Sequence, residues 1–529
     1  MKQQADQPWY RRVDTLIFGA SFGVILSFFI WAQSGSNMGE VMKQLLGIIT
    51  GQFGWLYLCL GFGCVLFACW LGFGPYGNIK LGHDDDKPEF SDFSWFAMLF
   101  ACGYGVGLVY WGAAEPLYFY SSPPLGVAAN TTKAAEIALS YSYFHWGWTP
   151  WAMYLTITIP VGYFTYRKGM SPRFSSSLAP IIGRHHRGPL GKLIDSALVI
   201  GLVGGITTSI GLGIIQLVSG MEGVFGISSE GKMIYVAIGV VWCAIFTASA
   251  VSGVDKGIKW LSSVNIPLAI CLMIFVFFAT DTRFNLDLGV NAFGDYLTNF
   301  FKMSFWTDPI DRGGFPQSWT IFYWAWWFAC APILGIFTAR ISRGRTIRQV
   351  VAAHMIFAPI ATWMWFMTFG GSALNYEIKA KAGLVALMGE KGTDAVIYAL
   401  IDKLPLSGLV ATLFMVLIIV FLSTSADSAA FVCAQVSTRD DQDPQNPPKG
   451  IRAVWAILMG MLSMVLVIVG KGITGLQLSS IAASFFVVFV MAGMAFSLVK
   501  ALRSEPGTAV RIARESEPEL EAPLDRAAG

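Results

Sequence analysis

About twelve stretches of roughly 20 mainly apolar residues follow one another along this chain, each long enough to cross a bilayer. They begin near Val13, Gln52, Phe93, Leu139, Leu193, Lys232, Ile258, Ser318, Val350, Leu406, Ile451 and Leu476. Hydrophobic residues make up 55% of the sequence and charged residues 13%, a balance at odds with a water-soluble domain of this size. In hydrocarbon every backbone N–H and C=O must be satisfied inside the segment, so spans of this length fold as helices. The expected fold class is an all-α polytopic membrane protein with about twelve transmembrane helices.

The N-terminus, Met1 to Asp6 with Arg11 and Arg12 before the first span, shows no small-residue cleavage site after a short apolar core, so the first helix is expected to be retained. Sidedness follows from where Lys and Arg gather in short loops. Arg167, Lys168, Arg173, Arg184, Arg187 and Lys192 follow the fourth span, and Arg340, Arg343, Arg345 and Arg348 follow the eighth. Reading both loops as cytoplasmic places both termini on that side and leaves the mixed-charge loops 281–317 and 373–403 outside. The formal net charge of +3 then reflects the inside rule, not a nucleic-acid surface, and no nucleic-acid partner is expected.

Redox and metal chemistry find little support. The eight cysteines lie in apolar stretches without metal-ligand spacing and read as small core hydrophobes. His83, His185 and His186 fall in loops, leaving His145 and His354 at membrane depth, fewer than a haem-bearing oxidase needs. His145 reads as a hydrogen-bonded structural histidine, with a proton relay as the alternative. Glu115, His145 and Asp427 have no partner at recognisable spacing, which argues against an enzyme. A channel would need polar rings along a pore, not aromatic clusters.

Aromatic clusters are what the chain has. His145-Trp146-Gly147-Trp148-Thr149-Pro150-Trp151-Ala152-Met153-Tyr154 and Trp324-Ala325-Trp326-Trp327 both lie inside apolar stretches, so rings usually found at the interface are placed at depth. A ring face attracts an ammonium or methylated ammonium by roughly 0.5–1 kcal/mol when wet and about 2 kcal/mol or more when desolvated. Several rings can thus box a cation without a buried carboxylate; packing or lipid-facing aromatics are the competing reading. Trp95, near the start of the third span, reads as peripheral to both clusters.

Two further segments break helical rules. Ala101-Cys102-Gly103-Tyr104-Gly105-Val106-Gly107 puts glycine at alternate positions in mid-span. That favours unwound backbone, tolerated at this depth only where it lines a cavity and able there to offer amides to a carboxylate. Close helix packing through small residues explains the glycines equally well. In the tenth span, Phe421-Leu422-Ser423-Thr424-Ser425-Ala426-Asp427-Ser428 carries hydroxyls and a carboxylate that are costly in a membrane unless satisfied. They suit a small alkali cation, or else cap a helix end.

Three elements together carry a family resemblance: Trp319 to Trp327 (WTIFYWAWW), Ala339 to Arg348 (ARISRGRTIR), and the pattern His145, Trp146, Pro150, Trp151, Tyr154. In these the chain resembles the betaine/carnitine/choline transporter family from about Val13 to Lys500. The resemblance implies a fold similar to sodium-coupled amino-acid transporters, with two inverted five-helix repeats after two extra helices. Divided so, the chain has a cytoplasmic N-terminus (1–12), two extra helices (13–92), a first repeat (93–279), an outer loop with an amphipathic interfacial helix near Leu288–Met303 (280–317), a second repeat (318–500) and a cytoplasmic tail expected to be disordered (501–529). It also implies a multi-pass protein of the bacterial inner membrane, in contact with lipid and assembled as a homotrimer.

Carried over residue by residue, the resemblance makes Trp146, Trp151, Tyr154 and Trp327 the box around a quaternary ammonium head. Gly103, Tyr104 and Gly105 approach the substrate carboxylate through their backbone, Trp326 and Tyr110 line the access path, and Trp324 supports it. A sodium site falls at Thr424 and Ser425 with backbone near Phe421, Ala101 and Tyr104, with sodium or a proton as the coupling ion and no other cofactor implied. The Arg340–Arg348 run looks structural.

Some positions depart from the family pattern. Cys330 replaces an aromatic one turn after the paired tryptophans, so contacts to the acidic end of the substrate can differ. Leu202 and Ile206 stand where a second sodium site has hydroxyls; that site is absent or rebuilt from Thr207, Thr208 or Ser209. Gly107 stands where choline-taking members often carry Asp, which favours a zwitterion such as glycine betaine or carnitine. The expected function is import of such a compound by ion symport. Sodium-independent exchange, or transport of choline or of a sulfonium analogue such as dimethylsulfoniopropionate, stays as the alternative.

Overall fold

Helices take up the apolar stretches almost one for one in the computed structural model, which describes residues 8–34, 38–252, 258–469 and 473–505. In chain order they are α1 (Thr15–Gln33), α2 (Met38–Phe73), α3 (Asp92–Ser121), α4 (Thr132–Trp146), α5 (Trp148–Gly162), α6 (Pro189–Phe225), α7 (Lys232–Ser252) and α8 (Ile258–Ala279). There follow α9 (Thr282–Phe305), α10 (Pro316–Ile341), α11 (Ile347–Ile378), α12 (Leu384–Lys391), α13 (Ala395–Asp402), α14 (Ser407–Ser437), α15 (Lys449–Val469) and α16 (Ile473–Arg503). Among the described residues there is no sheet; extended chain pairs at two isolated bridges, Val13 with Thr438 and Lys80 with Thr346.

Nine of the described helices are long and apolar enough to cross a membrane, or 11 if each of two sharply bent pairs is one crossing. The difference from the expected twelve has a definite place. The stretch from Leu139 is divided at Gly147 into α4 and α5, of 15 residues each, and neither half reaches across alone. The second stretch begins well before Gln52, because Glu40, Lys43 and Gln44 dilute the apolar signal over the opening turns of α2; Glu40 sits in the first turn, where a negative charge favours the helix terminus.

The two bent pairs differ in kind. α3 bends by 59° between Asp92–Gly103 and Gly107–Ser121, with Gly105 non-helical at φ 2°, ψ −107°. α9 turns 109° from the segment Ser263–Ala279, and Asp281 caps it by accepting from the Phe284 N–H at 3.0 Å. The amphipathic segment anticipated over Leu288–Met303 lies inside this longer helix, whose Leu286, Val290, Leu297 and Phe301 are exposed while Leu288, Ala292, Tyr296 and Met303 are buried. The loop 373–403 is also more ordered than anticipated, since the end of α11, α12 and α13 occupy most of it.

Burial shows what stands at the centre. In α10 every residue from Ile321 to Ala339 is buried, as is every residue of α5 after Trp148; helices apolar all round belong inside a bundle. α10 packs against α5, α6 and α16, while only a minor share of α1 and α7 is buried, as lipid-facing helices should be.

The arginine run after α10 is anchored throughout. Arg340 pairs with Glu89 at 2.6 Å, Arg343 with Asp86 at 3.4 Å and Arg345 with Asp92 at 2.7 Å, and Arg348 donates to the Gly72 carbonyl at 2.9 Å. At the same end of the bundle, Glu505 accepts from Arg167 and Lys168, each at 2.6 Å, and from the Tyr163 hydroxyl. Burial pushes the Glu505 carboxyl up, but the hydrogen bonds from Lys168, Tyr163 and Arg167 outweigh it and hold the group at about 2. The last helix runs past Lys500 to Arg503; the remainder of the anticipated disordered tail, 506–529, lies outside the described residues.

Candidate functional site

A helix that stops leaves its last four carbonyls without intrahelical partners. α4 stops at Trp146 because Gly147 leaves helical geometry at φ −97°, ψ −130°, and a Cβ there would sit 2.4 Å from the Tyr143 carbonyl oxygen. Pro150 falls in the first turn of α5, where a missing N–H is tolerated. Side chains from other helices take the freed carbonyls. Trp363 Nε1 donates to Tyr143 O at 3.1 Å, Trp327 Nε1 to His145 O at 3.1 Å, and Thr362 Oγ1 to Trp146 O at 3.0 Å.

The break therefore sets the rings as well as the backbone. Trp146 meets Trp327 at 4.8 Å between centroids and 71° between planes. Trp326 stacks on Trp327 at 4.7 Å and 13°. From α5, Tyr154 stands edge-on to Trp151 at 5.6 Å and lies 6.5 Å from Trp327. All five rings are buried. Trp324 packs behind them, 5.1 Å from Phe144 and 5.8 Å from His145. Residues from α4, α5 and α10 named for the box are thus brought to one place.

The glycines of α3 close the other side. Gly103, Gly105 and Gly107 line a cavity of about 20 Å³ together with Trp326, Trp327, Cys330 and Ser425. A Cβ on Gly103 would lie 2.8 Å from the Trp151 ring, and one on Gly107 2.9 Å from Trp146 and 3.1 Å from Trp326. The helix bends at Gly105, and the flanking glycines let rings approach the backbone. The Tyr104 side chain lies outside those described.

Oxygen atoms gather beside the bend. Ser425 Oγ lies 3.2 Å from the Ala101 carbonyl and 3.3 Å from that of Phe421, its one proton serving either, and the Thr424 hydroxyl donates to Val420 O on its own helix at 3.0 Å. Of the residues weighed for a rebuilt second site, Thr208 meets Ser480 Oγ at 2.6 Å and Leu476 O at 2.7 Å. Thr207 bonds Val203 O at 2.6 Å, and Ser209 faces the small cavity. Leu202 and Ile206 are buried apolar neighbours. Tyr110 lies farther along α3, on the wall of a separate cavity of about 560 Å³ with Tyr118, Tyr235 and Asp394. There the Tyr118 hydroxyl is 3.0 Å from Thr393 Oγ1.

Glu115 and Asp427, which have no partner at recognisable spacing along the chain, find partners across the fold. Glu115, fully buried on α3, accepts from Trp146 Nε1 at 2.6 Å and the Tyr323 hydroxyl at 2.5 Å, and lies 3.1 Å from His145 Nδ1. Asp427 accepts from Ser249 at 2.5 Å. These partners stand on other helices, so no spacing along the chain could reveal them. Trp95 stands outside both aromatic clusters but is buried. The Arg345 guanidinium sits 3.9 Å above its ring, and its Nε1 donates to Ser342 Oγ at 2.9 Å, which makes it an anchor of the arginine-rich end.

Comparisons with known proteins bear on the whole chain. The family model for "BCCT, betaine/carnitine/choline family transporter" matches residues 16–507. A probable glycine betaine transporter of Desulfitobacterium hafniense is 36% identical over 94% of this chain and 98% of its own. The glycine betaine transporter OpuD of Bacillus subtilis is 38% identical over 92% of this chain and 94% of its own. The high-affinity choline transport protein of Escherichia coli is 36% identical over 92% of this chain and 72% of its own.

Proposed function

Because the chain belongs to the betaine/carnitine/choline transporter family, and is therefore a membrane transporter and not an enzyme, we propose that it imports a quaternary-ammonium zwitterion of the glycine betaine or carnitine type by ion symport. The observation that carries this reading is the meeting of Trp146, Trp151, Tyr154 and Trp327 from three helices around the α3 glycines. Ring faces attract the methylated cation. The backbone of Gly103, Tyr104 and Gly105 at the bend takes the carboxylate, as interrupted helices do in transporters. Cys330, on the same cavity wall, faces the acidic end. Trp326 and Tyr110 guard the route inward, and the cavity of about 20 Å³ means the rings separate to admit a substrate.

A small hard cation needs oxygen ligands. The Ser425 hydroxyl with the Ala101 and Phe421 carbonyls fits that need, and Thr424, whose proton goes to the Val420 carbonyl, keeps its oxygen lone pairs for a cation. Bound there, sodium would supply positive charge beside the glycine bend. Choline is the second reading. One relative is named a choline transport protein, and the acidic side chain of Glu115 lies buried behind Trp146.

In this reading α4 and α5 make one broken crossing, which brings the count to twelve. Residues 93–279 and 318–500 form the inverted repeats after the extra helices of 13–92. α9 lies along the outer membrane surface between protomers of a trimer, and both termini face the cytoplasm of a bacterial cell. Uptake into liposomes by the purified protein, with glycine betaine, carnitine and choline each assayed with and without a sodium gradient, tests the proposal. Saturable sodium-driven uptake of a zwitterion, abolished by Thr424→Ala with Ser425→Ala, is expected. Uptake that follows neither gradient nor ion makes the protein an exchanger, and unitary currents would overturn the carrier reading.

A further inference from the structure

We infer that Glu115 is the positioning residue of the aromatic box, one buried carboxylate that holds both Trp146 and Trp327 in place. This rests on the proposed function, since it assigns a role to a residue behind that site. Tryptophan has a single donor at one edge of its ring, so a fixed acceptor for that N–H sets the plane whose face a cation meets. Trp146 Nε1 reaches Glu115 Oε2 at 2.6 Å. Trp327 Nε1 reaches the backbone oxygen of His145 at 3.1 Å. The His145 ring is itself held at both nitrogens, by Glu115 Oε1 at 3.1 Å and Thr320 Oγ1 at 3.0 Å.

Both tethers therefore lead back to the same side chain, Trp146 directly and Trp327 through the helix end that His145 fastens. Tyr323, donating to Oε2 at 2.5 Å, ties α10 into the same point. Glu115, His145 and Tyr323 are all fully buried. A polar group at that depth is costly unless its bonds are satisfied, and here both oxygens have partners. The arrangement is what a recognition site needs from its supporting layer: ring orientations fixed before the ligand arrives.

The geometry also says which replacement should work. Glutamine at this position can place its carbonyl where Oε2 accepts from Trp146 and Tyr323, and donate its amide to His145 Nδ1 when the imidazole proton sits on Nε2. Alanine keeps none of these contacts. Binding of glycine betaine and of its dimethyl counterpart to purified protein, with uptake kinetics in liposomes, distinguishes the cases. Glu115→Ala is expected to weaken glycine betaine binding about tenfold or more, to raise KM with little change in kcat, and to shrink the preference for three methyl groups over two. Glu115→Gln recovers affinity to within about threefold.

Should Glu115→Ala not yield folded protein, Tyr323→Phe and His145→Phe remove one arm each and carry the same expectation at about three- to fivefold. Unchanged affinity and methyl preference in Glu115→Ala overturns the inference, because a merely structural role lowers the yield of folded protein without altering selectivity. Glu115→Gln as weak as Glu115→Ala overturns it too, and assigns the residue's effect to its charge. Wild-type protein that binds no quaternary ammonium compound refutes the proposed function itself.

Discussion

The chain breaks two of its central helices with glycine and finishes the two breaks in opposite ways. At Gly147 the freed carbonyls of Tyr143, His145 and Trp146 are each taken by a side chain from α10 or α11. At Gly103–Gly107 the bent backbone instead faces a cavity, with Ser425 reaching in to the Ala101 carbonyl. A break closed by protein donors is a fixture, and here it fixes rings. A break left facing a cavity is where a ligand's own polar groups can complete the hydrogen bonding. The first should therefore respond to mutation through ring geometry and stability, the second through ligand contact.

Trp327 belongs to both, and its loss should be the largest effect on affinity. Trp327→Leu removes a ring face and the donor to His145, and should weaken binding of glycine betaine by about 2 kcal/mol, roughly thirtyfold, in equilibrium binding to purified protein. Trp327→Phe keeps a ring but not the N–H and should lose about 1 kcal/mol; equal losses in the two would mean the tether matters and the face does not.

Next comes a matched pair of glycines. Gly103→Ala places a methyl 2.8 Å from the Trp151 ring and should raise the uptake KM about tenfold, since overpacking costs roughly 1–3 kcal/mol. Gly147→Ala, 2.4 Å from the Tyr143 carbonyl, should spend a similar cost on thermal stability. If Gly147→Ala impairs affinity and leaves the melting temperature alone, the contrast between the breaks fails.

Thr362→Val should matter less to affinity. It leaves the Trp146 carbonyl short of a donor and should lower stability by about 1 kcal/mol in thermal unfolding, with binding changed about twofold. Trp95→Leu stands far from both breaks and marks the floor. It should leave affinity unmoved while costing about 2 kcal/mol of stability, because Arg345 loses the ring beneath it. A shift in affinity there would show that the arginine-rich end and the centre are coupled.

Much of this was legible in the residues. Apolar runs announce helices because hydrocarbon leaves the backbone no other choice, while alternate glycines allow a bend in α3 and close packing equally. What stayed hidden is what depends on distance along the chain. Glu115 meets partners 30, 31 and 208 positions away, and Trp95 meets an arginine from the far side of the sequence. The Gly147 break had a local sign, Gly147 followed by Pro150, but it sits in so apolar a run that the run reads as continuous. Thr424 and Ser425 look alike along the chain; only the fold shows that Ser425 also reaches a carbonyl on another helix, that of Ala101.

The shared end of α4 has a consequence for how this protein can vary. Trp327, Thr362 and Trp363 serve three of the four carbonyls of one helical turn, so none of them is an independent character. Once one donor is gone the turn relaxes and the others have less to lose, so paired substitutions there should cost less than the sum of the single ones, unlike changes at well-separated sites. Lineages that alter one of the three should be freer to alter its neighbours, and a variant library that samples the positions one at a time will overstate how intolerant the site is.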